Sequence, residues 1–195
     1  VYGHDAAAVF ESHESVVLEI ALELIWLEES GAEGETVINN NDILRRVRYI
    51  FNFSDTVMLS IFELGGHQGS ESELTTWFTR EGKPDFVLCE DEYLARFLNG
   101  LIIKNRGAQD GGIPEPEHYL TNNIVLRKLK IALSLQTEDL IKILKLNNFN
   151  VSKHELSALF RRPDHKNYRE CLDQVLRNFL DGLAKHYRKN DSGSD

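Results

Sequence analysis

Two stretches of the sequence, 82 residues apart, decide the fold: NNDILRRVRYIF from Asn40 and NNIVLRKLKIAL from Asn122. Extending this alignment outward without a gap pairs residues 40–106 with residues 122–188, and 19 of the 67 pairs are identical. The identical pairs include Leu44/Leu126, Arg45/Arg127, Glu73/Glu155, Phe78/Phe160, Cys89/Cys171, Asp91/Asp173 and Gly100/Gly182. Because a solenoid unit has a period of only ~20–50 residues, this longer period indicates two copies of one small domain.

Each copy carries apolar residues at helical spacing in four segments. In the last segment of the first copy, Leu94, Phe97, Leu98 and Leu101 recur at i, i+3, i+4 and i+7, and the second copy repeats the pattern. Neither copy shows the sustained alternation that a half-buried strand requires. The sequence therefore predicts an all-α protein. Its two tandem homologous helical domains are expected to be helix-turn-helix-like bundles related by an approximate two-fold axis.

The starts of the helices are predicted at matching places. Each copy has the S-x-x-E pattern of a capping box, in which a serine oxygen accepts from an early helix N–H and the glutamate reaches back to the serine N–H; these boxes are Ser70/Glu73 and Ser152/Glu155. Ser54 and Thr137 are expected to cap the second helix of each copy.

A glycine falls inside the last predicted helix of each copy, at Gly100 and Gly182. Glycine at such a position costs about 1 kcal/mol relative to alanine. Its repetition predicts that another helix approaches closely there, and inheritance of one ancestral glycine without function is the alternative.

Length and composition fix the broad class. The 195 residues are 42% hydrophobic and 27% charged, as in globular proteins. The 2 cysteines exclude a disulfide scaffold, and no apolar run reaches the ~18 residues of a membrane helix. The predicted organisation is an acidic N-terminal extension (1–36), helical repeat 1 (37–107), a linker rich in Gly, Pro and acids (108–118), helical repeat 2 (119–189) and a tail (190–195).

Charge is divided unevenly along the chain, whose net charge is −9. The extension holds nine acids and no lysine or arginine, and repeat 1 has 8 basic and 10 acidic residues. Repeat 2 has 14 basic and 7 acidic residues, so it is the basic part of the protein. Several of its charges are concentrated in RRPDHKNYRE, residues 161–170.

This basic segment is the candidate site for an anion or a nucleic acid. Its side chains could neutralise phosphates and offer an aromatic ring for stacking. The candidate residues are Arg161, Arg162, His165, Lys166, Tyr168 and Arg169. The alternative is a solvated helix end, whose basic residues favour the helix dipole.

The second and third helices of each copy resemble a helix-turn-helix in outline. The predicted spans are 55–64 and 71–80 in repeat 1, and 138–146 and 153–162 in repeat 2, with a turn longer than the usual three or four residues. Helix three begins with Glu71 in repeat 1 but with Lys153 in repeat 2, where it is expected to end at Arg161 and Arg162. Nucleic-acid binding, if present, should therefore depend on repeat 2. A simple packing unit is the alternative.

No catalytic residue, metal ligand or cofactor site is predicted. Cys89 and Cys171 are expected on the apolar row of the last helix, as buried packing residues. The spacings C-x-x-C and H-E-x-x-H are absent, and the seven histidines are scattered. The segment GGHQGS (65–70) lacks the lysine and the preceding strand of a phosphate-binding loop.

The sequence resembles the bacterial YehS-like proteins, a family of conserved hypothetical proteins built from a duplicated domain of unknown function. The resemblance covers about residues 37–189 and rests on motifs in order at matching spacing: INNNDILRRVRYIF (from Ile38), FLNGLIIKNRG (from Phe97), NNIVLRKLKIALSL (from Asn122), KHELSALFR (from Lys153) and PDHKNYREC (from Pro163). It implies a cytoplasmic bacterial protein and carries over no activity, cofactor or catalytic residue.

The extension 1–36 departs from this family, whose members typically begin at about Val37. Because bacteria can start translation at a valine codon, and both Val1 and Val37 could be such starts, the extension is interpreted as an upstream start that is not native. The intact mass of the natively expressed protein tests this hypothesis.

Three functions remain open at this stage. The first is a nucleic-acid-associated module that uses the basic segment of repeat 2. The second is a protein-interaction or adaptor module that uses the surface between the repeats or an exposed apolar helix face. The third, an enzyme of unrecognised type, has no nucleophile–base pair or metal cluster in its support. The sequence leaves the oligomeric state open.

Overall fold

Both copies fold into the same series of four helices. The computed structural model describes residues 37–108 and 111–188, so the predicted extension 1–36 and tail 190–195 lie outside the described residues. The described ranges contain eight helices and no strand, which confirms the all-α prediction. Repeat 1 contains α1 (Asn40–Phe51), α2 (Asp55–Leu64), α3 (Glu71–Phe78) and α4 (Asp91–Arg106), and repeat 2 contains α5 (Asn122–Ala132), α6 (Thr137–Leu146), α7 (Lys153–Leu159) and α8 (Asp173–Arg188).

Helix caps explain where most of these helices begin. The two capping boxes are confirmed: the backbone N–H of Glu73 donates to the Ser70 hydroxyl at 3.2 Å, and Glu155 does the same with Ser152. Ser54 caps α2 as predicted. The prediction for Thr137 is wrong, because Gln136 is the N-cap of α6 and donates its backbone N–H to the Asp139 carboxylate at 2.9 Å.

The third helix of each copy is shorter than predicted. It ends at Phe78 in repeat 1, where Thr79 turns to an extended conformation, and at Leu159 in repeat 2. An arginine of the copy's first helix donates to a carbonyl just beyond each end: Arg45 to Thr79 and Arg127 to Phe160. Consequently Arg161 and Arg162 lie after α7, which corrects their placement at its C-terminus.

The two copies pack on each other reciprocally. The first helix of each copy packs against the last helix of the other, so that α1 contacts α8 and α5 contacts α4. Hydrogen bonds follow the same rule: the backbone N–H of Ile38 donates to the Asp173 carboxylate at 3.1 Å, and that of Leu120 donates to Asp91 at 2.8 Å. These matched contacts support the predicted approximate two-fold relation, and they place both repeats in one unit that begins at Ile38.

The helix crossings within each copy depend on the two predicted glycines. α2 packs on α4, and α6 packs on α8. A Cβ added at Gly100 would overlap the carbonyl oxygen of Ile61, and one added at Gly182 would overlap that of Ile143. The prediction of a close helix approach is therefore confirmed in both copies.

A buried asparagine anchors the segment before the last helix of each copy. The Asn41 side chain donates to the carbonyls of Trp77 and Val87 at 2.9 and 2.8 Å, and its oxygen accepts from the N–H of Cys89. Asn123 makes the equivalent three bonds. Because each buried amide is fully paired, its burial carries little penalty, and removing it would leave backbone groups unsatisfied.

The linker is held at its second half. Residues 111–115 are exposed as predicted, whereas Pro116 is buried. The carbonyl of Pro114 accepts from the Asn99 side chain at 3.2 Å, and Glu117 pairs with Lys128 at 2.9 Å. Among the helices of the described residues, none is long and apolar enough to cross a bilayer.

Candidate functional site

All six basic-segment residues lie on the loop that joins α7 to α8. Arg169 fixes the loop to the core, since its N–H donates to the Ala158 carbonyl and its own carbonyl accepts from the Asn123 side chain at 2.9 Å. Just before Arg169 the chain turns, with the N–H of Tyr168 donating to the His165 carbonyl at 2.8 Å. The backbone of the α7–α8 loop is thus bonded to the core at Arg169 and contains a turn of its own.

Most of the predicted site side chains on this loop face solvent. Arg162, His165, Lys166 and Arg169 are exposed, and Arg161 and Tyr168 are half-buried. The pair between Arg162 and Asp164 spans 3.7 Å, and both side chains are more than three-quarters exposed. Such a pair is weak because water and salt screen it, so it leaves the Arg162 charge available to a ligand.

Two further cations on α5 reach the start of the same loop. Arg127 donates to the carbonyls of Phe160 and Arg161 at 3.0 and 3.5 Å. The Lys130 ammonium lies 5.6 Å from the centre of the Phe160 ring, within cation–π range. Arg127 and Lys130 therefore reach the end of α7, where Arg127 contacts the backbone of Arg161, and we name these three residues the cation cluster.

Repeat 1 has the same arrangement with its charges neutralised. Arg45 donates to the Thr79 carbonyl at 3.2 Å and also to the Asp42 carboxylate at 2.6 Å. Arg48 lies over the Phe78 ring at 4.6 Å and pairs with Asp55 at 2.7 Å. Each of these two arginines thus has a carboxylate of repeat 1 as its partner.

The carboxylates are missing from repeat 2. The positions equivalent to Asp42 and Asp55 hold Ile124 and Thr137. Within the two described ranges, neither Arg127 nor Lys130 has a carboxylate at ion-pair distance. Sequence reasoning did not identify these two residues. The alignment of the two copies held a signal that could have identified them. Both copies keep a basic residue at each of these positions, whereas the acidic partners of repeat 1 are replaced in repeat 2.

The loops themselves have diverged in character. The loop between α3 and α4 exposes Val87 and Leu88, with exposed fractions of 49% and 56%. The equivalent residues of the α7–α8 loop are Arg169 and Glu170. One backbone path therefore presents apolar side chains in repeat 1 and charged side chains in repeat 2.

The two cysteines are buried and unpaired, as predicted, but they do not lie on the last helix. Each stands two residues before it, since α4 begins at Asp91 and α8 begins at Asp173. Burial, with the following aspartate adding to it, raises the pKa of Cys89 and of Cys171 to about 12. A thiol that stays protonated at neutral pH is a poor nucleophile, which fits a packing role.

Repeat 1 also holds a histidine among aromatic rings. The His67 ring lies 4.9 Å from that of Tyr93 and 6.1 Å from that of Trp77. Its Nε2 is 3.4 Å from a Glu73 carboxylate oxygen, while the other oxygen accepts from the Ser70 N–H at 2.9 Å. Glu73 is thereby committed to the cap of α3. No group of three potential metal ligands occurs in the described part of the chain.

These features define the class of protein: an all-α protein made of two copies of one helical domain, with a basic surface on the second copy. The chain belongs to the family described as protein of unknown function (DUF1456), whose model matches it twice, over residues 40–107 and 122–189. The two matches coincide with the repeats aligned above, which confirms the predicted duplication and the family resemblance.

The chain is also similar to a curated protein over nearly the full length of that protein. The chain is 46% identical over 154 residues to "Uncharacterized protein YehS" of Escherichia coli (strain K12), an alignment that covers 77% of this chain and 98% of that protein. No solved structure matches the chain.

Proposed function

We propose that this protein is a non-catalytic binding module that associates with nucleic acid through the α7–α8 loop of repeat 2. The observation that supports the proposal is that the six candidate residues all lie on one loop, which is bonded to the core at Arg169. Four of the six side chains are exposed. The equivalent loop of repeat 1 presents Val87 and Leu88 where repeat 2 has Arg169 and Glu170. Its exposed bases, Arg80 and Lys83, are accompanied by the exposed acids Glu81 and Asp85.

Phosphate contacts would supply the affinity of such a surface. Lysine and arginine release condensed counterions when they neutralise phosphates, and each neutralised phosphate makes the slope of log K against log salt more negative by about 0.7 to 0.9. Four such contacts would give a slope of about −3. Binding should therefore weaken strongly between 50 and 200 mM salt.

The local geometry favours contacts to the backbone over reading of base edges. A helix-turn-helix protein reads bases with the first residues of its second helix. Here α7 has only 7 residues, and Lys153 at its start is paired with Glu138 at 2.6 Å. The cations of the α7–α8 loop follow this helix, and Lys153 is the one cation in its first turn. We therefore expect little sequence preference.

The test is fluorescence anisotropy with labelled 20-nucleotide single-stranded RNA, single-stranded DNA and duplex DNA at several salt concentrations. The test variant carries Arg162→Glu, Lys166→Glu and Arg169→Glu. The control variant makes the same change in net charge at exposed lysines elsewhere, with Lys83→Glu, Lys104→Glu and Lys142→Glu.

The proposal expects salt-dependent binding to at least one of these nucleic acids, a loss of more than 10-fold in the loop variant, and less than a 3-fold change in the control. Equal loss in both variants would show that only net charge matters and would overturn the assignment to the loop. Absence of binding by the unmodified protein to all three nucleic acids would overturn the proposal itself.

A further inference from the structure

The first helix of each repeat carries the same pair of cations in the same setting. Arg45 and Arg127 both donate to carbonyls just past the third helix. Arg48 and Lys130 both lie over the phenylalanine that ends or follows that helix. The scaffold that positions the cations is thus shared by the two copies, and what differs is the anion.

In repeat 1 the anions are supplied by the chain itself. A carboxylate oxygen of Asp42 lies 2.6 Å from Arg45, and one of Asp55 lies 2.7 Å from Arg48. These contacts show that the scaffold accommodates oxyanions at charge-assisted hydrogen-bond distance. Phosphate presents oxygens of similar geometry, and guanidinium groups bind carboxylates and phosphates in the same way.

In repeat 2 no described carboxylate occupies these places. Ile124 offers no acceptor, and Thr137 offers only a neutral hydroxyl. Arg127 is exposed, whereas the side chain of Arg45 is only 13% exposed. The charge of Arg127 is therefore open to a ligand that approaches from solvent.

We infer that Arg127 and Lys130 form a phosphate-binding site on α5, in which phosphate oxygens of a bound nucleic acid pair with these cations as Asp42 and Asp55 pair with Arg45 and Arg48 in repeat 1. The inference rests on the proposed function and extends it. It assigns to the cation cluster the role of holding the nucleic-acid backbone against the base of the α7–α8 loop. Arg161, which completes the cluster, connects this site to the loop.

The test introduces into repeat 2 the two carboxylates that repeat 1 has beside its cations. The variant Ile124→Asp/Thr137→Asp places a carboxylate at each equivalent position. Both changes suit the local structure, because residue 124 lies in the first turn of α5 and residue 137 begins α6. Acidic residues are favourable at the N-terminus of a helix. We expect the variant to fold, as checked by circular dichroism and thermal unfolding.

Binding is measured with the labelled 20-nucleotide probe that the unmodified protein binds best. The Ile124→Asp/Thr137→Asp variant should bind about 10-fold more weakly, and its slope of log K against log salt should become less negative by about 1 for each phosphate that the protein no longer neutralises. The variant Asn150→Asp/Gln174→Glu makes the same change in net charge at exposed positions and should bind within 3-fold of the unmodified protein.

A third variant, Arg127→Ala, distinguishes loss of the charge interaction from damage to the local structure. Arg127→Ala should weaken binding to a similar degree by itself, and combining it with Ile124→Asp should add little, because both changes remove the same interaction. If the Ile124→Asp/Thr137→Asp variant binds like the unmodified protein while the loop variant does not bind, the α5 site is overturned and the proposed function stands. If the unmodified protein binds no probe, both are overturned.

Discussion

The surroundings of α1 and α5 are the most instructive pair of regions in this protein. Both helices present two cations to the end of the third helix of their copy. In repeat 1 the cations are paired with Asp42 and Asp55, and in repeat 2 they have no carboxylate among the described residues. The two carboxylates are about one-third and one-half exposed, although their arginines are largely buried. Solvent screening at the carboxylates therefore limits the stability that these pairs contribute.

The interior shows the opposite behaviour. Asn41 and Asn123 make the same three hydrogen bonds, and Gly100 and Gly182 allow the same close crossing. A buried polar group must be paired and a close contact must exclude a Cβ, so neither can change alone without a large cost in stability. Comparison of the copies therefore separates what the fold requires from what the surface can vary.

An intermediate case lies where the copies meet. Arg46 of α1 pairs with Asp181 of α8, and the equivalent contact joins Lys128 of α5 to Asn99 of α4. The donor is a basic side chain in both contacts, an arginine in one and a lysine in the other, whereas the acceptor is a carboxylate in the first and an amide in the second. Lys128 compensates by pairing with Glu117 of the linker at 2.9 Å, which helps explain why the second half of the linker is held in place.

The largest effect that would sharpen the comparison concerns thiol reactivity. A pKa of about 12 for Cys89 and Cys171 leaves a thiolate fraction of roughly 10⁻⁴ at pH 8, against roughly 0.2 for an ordinary thiol of pKa about 8.5. Both thiols should therefore react with Ellman's reagent about a thousandfold more slowly in the native protein than in urea.

The raised thiol pKa makes the stability of the fold depend on pH in a definite direction. The folded pKa is raised, so the stabilisation is complete below the ordinary thiol pKa of about 8.5. It declines as the pH rises from there toward 12, because the unfolded chain loses thiol protons that the native state keeps. One thiol that reacts rapidly in the native protein would break the equivalence of the two copies.

The next effect concerns the helix crossings. Gly100→Ala should lower the free energy of unfolding by about 3 kcal/mol, because the new methyl group meets the backbone of Ile61. Gly182→Ala should cost less, since repeat 1 has a second glycine at the crossing, Gly65, where repeat 2 has Asn147. Urea unfolding measures both changes.

The matched control for the crossings is Gly111→Ala, at an exposed linker position where an added Cβ would meet nothing within 4 Å. Its free energy of unfolding should remain within about 0.5 kcal/mol of the unmodified protein. A larger loss of stability for Gly182→Ala than for Gly100→Ala would contradict the tighter packing inferred for repeat 1.

The smallest expected change in stability comes from exchanging one acidic position between the two copies. Asp55→Thr leaves Arg48, whose side chain is only 5% exposed, without its carboxylate. Since Asp55 is itself about half exposed, solvent screening limits the loss of stability to about 1 kcal/mol. The reverse change, Thr137→Asp, should leave stability within about 0.5 kcal/mol. An unchanged unfolding midpoint for Asp55→Thr would show that this pair contributes nothing.

Helical periodicity and the internal alignment were enough to predict the helices of both copies, the core row Leu94, Phe97, Leu98 and Leu101, and the close approach at the glycines. These predictions held because each depends on spacing along one helix or on the repetition of one residue. The ends of α3 and α7, the cap of α6 and the place of the cysteines were missed. The ends of α3 and α7 and the place of the cysteines are decided by contacts with the first helix of each copy. The cap of α6 is local, a bond from the Gln136 N–H to the Asp139 carboxylate, and it was missed because glutamine is not among the preferred capping residues.

The candidate site shows the same division. The distribution of charge along the chain was enough to identify the basic segment 161–170, since its basic residues are close together in sequence. Arg127 and Lys130 escaped notice because they lie at least 30 positions away, and only packing brings Phe160 beneath them. Their importance also depends on the absence of acids at Ile124 and Thr137, which a single copy read by itself does not reveal.

The amino-acid sequence by itself determined that the chain is helical, that one domain occurs twice, and that charge accumulated on the second copy. These properties follow from periodicity, identity at a fixed offset and simple summation. Only the tertiary structure decided that the first helix of each copy packs on the last helix of the other, and that Arg127 and Lys130 of α5 reach the start of the α7–α8 loop. The reason is physical: such contacts join segments distant in the chain, and their geometry is set by how whole helices fit together.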